Sequence, residues 1–84
     1  AVNVSENVDD ARSTTLIALD ESLRRLEQHD PRQSRIVECR FFGGMTIQDT
    51  ATALGIAPAT VMRGWVAAKA WLYRDLKQSL EETE

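Results

Sequence analysis

From Thr15 onward the apolar residues fall at helical intervals. Leu16, Leu19, Leu23 and Leu26 recur every three or four positions, with Asp20, Glu21, Arg24, Arg25 and Glu27 between them, the pattern of an amphipathic helix. That helix is expected to end near His29. Asp30 and Pro31 then supply an N-cap and a first helical residue for a second helix. It carries Ile36, Val37, Cys39, Phe41 and Phe42 on its apolar side, with the phenylalanines expected in the core and one of them partly exposed for a partner. Gly43 and Gly44 end it, because glycine adopts left-handed dihedrals without steric cost.

Thr46-Ile47-Gln48-Asp49 has the form of a capping box and opens a short third helix. Gly55 stops that helix, and Pro58 opens a fourth. Val61, Trp65, Ala68, Leu72 and Leu76 step by three or four and share one face; Trp71 lies off that stripe. The pattern predicts an all-α fold, a four-helix, bundle-like domain with a helix-turn-helix and no wing.

Residues 1–14, AVNVSENVDDARST, show no clear period and read as a linker or tail, as expected of a piece cut from a longer protein. Residues 15–80 form the domain, and 81–84 an acidic tail. A chain of 84 residues holds one domain at most. No apolar run approaches the length of a membrane span, and no signal-peptide pattern opens the chain. With the single cysteine, Cys39, this points to a cytoplasmic protein with no membrane partner.

The net charge of −3 is unfavourable for a protein that meets phosphates, but its distribution changes the picture. Residues 1–14 carry a balance of −2 and residues 81–84 a balance of −3, which leaves +2 for residues 15–80. The fourth helix holds Arg63, Lys69, Arg74 and Lys77 against Asp75. A basic helix of this kind suits either DNA or a solvated surface. No phosphate loop, metal-ligand spacing or catalytic carboxylate pair is present, so neither an enzyme nor a cofactor is expected.

The stretch TIQDTATALGIAPATVMRGW, Thr46 to Trp65, carries the functional signal. Two short helices are joined through a Gly turn. Small Ala51 sits where they must pack, Ile56 plugs the space between them, and Val61 anchors the second to the first. Such a hairpin turns the start of its second helix outward, in the manner of a recognition helix entering the major groove.

The wider sequence Ala18 to Leu76, with DPRQ, RFFGG, LGI, PATV and AWL in order, resembles the C-terminal domain, region 4, of extracytoplasmic-function (ECF) sigma factors. The resemblance implies transcription initiation. The domain would bind the −35 element of promoter DNA and contact the β flap of core RNA polymerase. An anti-sigma factor is a further implied partner, and a DNA-melting module, region 2, is expected upstream. Carried onto this chain, the DNA-facing positions are Thr46, Gln48, Ala59, Thr60, Met62, Arg63, Val66, Ala67 and Lys69. Arg40 lies close by.

Several of these depart from the family pattern. Ala57 stands where a capping Ser is usual, at a cost of about 1 kcal/mol. Met62 replaces a Lys or Arg, Gly64 a polar residue, and Val66 and Ala67 occupy positions that often reach DNA. Arg63 and Thr60 remain as polar readers, with the free amides at the helix start. Weak intrinsic affinity is expected, offset by tethering to polymerase. Two alternatives stand beside this reading. One is a LuxR-type output domain, although Met62-Arg63 replaces its usual Lys-His. The other is a protein-interaction module that has lost DNA contact.

Overall fold

The computed structural model describes residues 4–82, with side chains from residue 13 to residue 81. Among the described residues there are four α-helices and no strand: α1 (Val4–His29), α2 (Pro31–Val37), α3 (Ile47–Leu54) and α4 (Pro58–Glu82). A single π-helical segment, Glu38–Phe42, follows α2 directly. No helix among the described residues is long and apolar enough to cross a membrane.

The expected boundaries hold where capping chemistry sets them. Asp30 has extended dihedrals and its carboxylate accepts from the Gln33 amide at 3.1 Å, with Pro31 opening α2. Thr46 caps α3, its hydroxyl accepting from the Asp49 amide at 3.0 Å. Gly55 ends α3 in the left-handed region at φ 68°.

Two boundaries differ from the sequence expectation. Helix α1 begins at Val4 and not at Thr15. Residues 4–14 contain no Gly or Pro, so nothing breaks the helix, and the acids at Glu6, Asp9 and Asp10 suit a helix N-terminus. Residues 1–3 and 83–84, at the outer ends of the expected tails, lie outside the described residues. The second helix does not run as one α-helix to Phe42. It widens after Val37, and the Gly43 amide donates to Glu38 O at 2.8 Å across the wider turn. A Cβ at Gly43 would lie 2.8 Å from the Cys39 carbonyl oxygen, so this end admits glycine alone without a shift.

Widening changes which way the following side chains point. Phe41 and Phe42 were expected in the core with one of them partly exposed, yet they are 65% and 61% exposed. They pack edge-to-face on each other, with ring centroids 5.2 Å apart.

The core has two parts. Leu26, Val37 and Ala68 form one, flanked by Leu23, Trp71 and Leu72. Ile36, Ala51 and Val61 form the other, flanked by Ile47, Leu54 and Ile56. Trp65 packs against both. Val61, Trp65, Ala68 and Leu72 are therefore the inner face of α4, as their spacing predicts, whereas Leu76, expected on the same face, is half-buried and lines an open cleft with Tyr73 and Leu80. Trp71, off that stripe, is half-buried and stacks on His29 with centroids 5.3 Å apart.

Along α1 the stripe begins later than expected. Leu16 is 58% exposed, and the buried positions start at Ala18 and include Ser22. A buried hydroxyl needs a partner. Ser22 donates to the Asp75 carboxylate of α4 at 2.6 Å, and Arg25 donates to the same carboxylate at 2.7 Å. Arg25 also reaches Ser79 at 3.0 Å. This polar clip fixes α1 across α4.

Candidate nucleic-acid interface

The α3–α4 hairpin is built from its turn outward. Gly55 takes the left-handed dihedrals that end α3. The Ile56 amide then donates back to Ala51 O at 3.0 Å, the closing bond of a glycine-terminated helix. This turns Ile56 inward onto Ile36, Ala51 and Val61. Thr50 is fully buried beneath the hairpin, its hydroxyl donating to Thr46 O at 2.8 Å. Val61 and Ile56 thus anchor the start of α4 to the core.

Its opening is polar by default. Ala57 offers no side-chain oxygen, and Pro58 has no N–H, so the amides of Ala59 and Thr60 are the first donors of α4. The Ala57 carbonyl accepts from Val61 at 3.1 Å. Unfilled amides at a helix start attract anions.

The predicted positions fall into three groups. Ala59, Met62, Arg63, Val66 and Ala67 are all exposed, and their spacing places them on one outer face of the first three turns. Thr60 is half-buried at the edge of that face. Thr46 and Gln48 are exposed at the start of α3. The Thr46 hydroxyl is committed to its cap, and the Gln48 carbonyl accepts from Thr52 at 3.1 Å. Lys69 stands apart, its ammonium 5.1 Å from the centre of the Trp65 ring.

Two residues take different parts from those the sequence suggested. Gly64 does not belong to the outer face. A Cβ there would lie 2.6 Å from Ile36 Cδ1, so Gly64 packs directly against Ile36 of α2. Arg40 is turned inward. Its Nη1 donates to Met45 O at 2.6 Å and its guanidinium lies 5.3 Å from the Trp65 ring centre. It holds the Gly43-Gly44 turn in place ahead of α3.

The electrostatics of the outer face are sparse. Arg63 is the one cation on its first three turns, exposed and without an ion-pair partner among the described residues. Met62 and Val66 are 57% and 62% exposed, so the face is apolar where charge was expected.

A second surface goes beyond the sequence expectation, which left only one of Phe41 and Phe42 partly exposed for a partner. Leu19, Leu23, Phe41, Phe42, Trp65 and Leu72 line an apolar groove of about 250 Å³ between α1, the π-helical segment and α4. Lys69 stands at its edge. The signal available was the consecutive Phe41-Phe42 ahead of two glycines. Only the wide turn shows that both rings are spared from the core.

A family model described as ECF sigma factor matches residues 2–78. No curated protein and no solved structure matches the chain.

Proposed function

The chain belongs to the ECF sigma-factor family, and we propose that residues 15–80 are the promoter-recognition domain of such a factor. In this reading the start of α4 enters the major groove of the −35 element. The Ala59 and Thr60 amides take a phosphate, and Arg63 meets a guanine edge or a phosphate. Thr46, Gln48 and Lys69 would meet the flanking backbone. The observation that carries the reading is the hairpin itself. Gly55, Ile56 and Val61 lock one side of α4 into the core and leave Ala59, Thr60, Met62, Arg63, Val66 and Ala67 turned outward.

The apolar groove supports the second half of the proposal, contact with core RNA polymerase through its β flap. Exposed Phe41 and Phe42 beside Leu19 and Leu23 are what a protein partner needs and DNA does not. An anti-sigma factor would compete for the same surface. The work is done in the cytoplasm, where polymerase and promoter meet.

The family match selects this reading over a LuxR-type output domain. The protein-interaction alternative keeps one supporting observation, the apolar character of Met62 and Val66. A duplex titration separates the two. The chain is titrated against a library randomised over the upstream element, alone and within holoenzyme, at low and moderate salt. Promoter recognition requires selective binding that Arg63→Ala weakens about tenfold, with the salt slope falling by about one. Holoenzyme binding that is indifferent to Arg63→Ala leaves the interaction module.

A further inference from the structure

The start of α4 turns a narrow apolar strip outward. Ala59, Met62 and Val66 follow one another in steps of three and four, so they lie in line along the first three turns. All three are exposed, Met62 to 57% and Val66 to 62%. The hairpin leaves them there, because Ile56 and Val61 fill the core on the inner side. Arg63 is the only charged residue between Pro58 and Ala67. A helix that meets DNA with this face brings two apolar side chains against the base edges and only one cation.

Such a strip is selective. The base edges of the major groove are rows of hydrogen-bond donors and acceptors, and the one apolar group among them is the C5 methyl of thymine. An apolar side chain pressed on a donor or acceptor shuts out water and returns no hydrogen bond. Pressed on a thymine methyl, it removes apolar surface from water on both sides. Met62 is long and unbranched and moulds to the surface it meets, whereas Val66 is short and stiff at χ1. Met62 therefore covers the larger area. Four residues separate the two, about 6 Å along the helix axis. That is close to two base-pair steps of about 3.4 Å each.

We propose that Met62 and Val66 read sequence through thymine methyl groups, on two A·T pairs about two steps apart in the duplex that α4 enters. The proposal rests on the promoter-recognition reading and names the bases it favours. The amides of Ala59 and Thr60 and the Arg63 guanidinium supply the polar contacts that hold the helix in the groove. Discrimination at the two A·T pairs falls to side chains that match a methyl group by shape and polarity. The apolar character of this face is then a device for reading DNA and calls for no protein partner.

The test replaces thymine by uracil, which exchanges the C5 methyl for hydrogen and leaves base pairing and every hydrogen-bonding group in place. Duplexes carrying the upstream element selected from the randomised library are titrated by fluorescence anisotropy against the 84-residue chain and against holoenzyme, with one thymine replaced at a time. Uracil at two thymines, about two steps apart, weakens binding about fourfold each, the effect of about one buried CH₂ group. Met62→Ala abolishes the penalty at one of them and Val66→Ala at the other, whereas Met62→Leu retains it. All three variants alter exposed side chains, so their helical circular dichroism matches the wild type. Selective binding that is indifferent to uracil at every position overturns the proposal and leaves promoter recognition standing. So does a selected element without thymine. A uracil penalty that survives both alanine variants overturns it as well, because the methyl is then read by another part of the chain. Absence of selective binding by both chain and holoenzyme overturns the promoter reading, and this proposal with it.

Discussion

Gly64 offers the sharpest quantitative test of how the outward face of α4 is set. Replacing it by alanine adds one methyl group 2.6 Å from Ile36 Cδ1, inside a residue that is fully buried. Two effects oppose each other. Alanine gains about 1 kcal/mol over glycine in a helix interior. Overpacking a filled core costs about 1–3 kcal/mol. The Ile36 methyl is a flexible end, but Ala51 and Val61 close the space around it, so the packing cost prevails. Gly64→Ala is expected to destabilise by about 0–2 kcal/mol.

The cycle with Ile36→Val isolates the contact. That substitution deletes the Cδ1 methyl and alone costs about 0.5–1.5 kcal/mol. In the double variant the alanine methyl occupies the vacated space and the helix gain is kept. The double variant should match the wild type, giving a favourable coupling equal to the two single costs together, about 0.5–3.5 kcal/mol. Urea denaturation followed by helical circular dichroism measures all four proteins. In a domain of this size 1 kcal/mol corresponds to about 4–8 °C in Tm, so melting curves provide a second reading. Additivity to within about 0.5 kcal/mol would refute the claim that Gly64 packs directly against Ile36 of α2.

Other outcomes follow from the same geometry. Phe42→Ala is expected to cost less than about 1 kcal/mol, against the 3–5 kcal/mol of a core phenylalanine, while weakening capture of core polymerase in a pull-down with the holoenzyme; a large loss of Tm would return Phe42 to the core. The Arg25 hydrogen bonds, helped by the one from Ser22, hold the Asp75 carboxyl below its ordinary value of 3.8 against the opposing effect of burial. A depressed folded-state value means that the clip stabilises above the ordinary carboxylate range and fails as pH falls through the folded value. Asp75→Asn should therefore destabilise by about 1–2 kcal/mol at neutral pH and differ little from wild type in strong acid, as urea titrations at the two pH values would show. Met62→Lys should tighten duplex binding and steepen its salt dependence by about one charge, measured by anisotropy; an unchanged slope would move the DNA face elsewhere.

Local rules carried much of the fold into the sequence. Asp30-Pro31, Thr46 and Gly55 each fix a helix end through one side-chain acceptor or one missing Cβ, and such effects act within a few residues. The inner stripe of α4 is equally local, because helical period alone aligns Val61, Trp65, Ala68 and Leu72. The hairpin from Thr46 to Trp65 and its outward positions were legible for that reason.

What tertiary structure decided depends on contacts between distant residues or on a change of helical period. No propensity marks the switch to a π turn at Glu38, and with it the exposure of Phe41 and Phe42 and the groove they line. Only the approach of α2 to α4 shows that Gly64 faces Ile36 and that Arg40 serves the Gly43-Gly44 turn. Leu76 has the spacing of the inner stripe, yet it is half-buried and lines an open cleft with Tyr73 and Leu80, because one helix can present two apolar stripes and the sequence does not say which is covered.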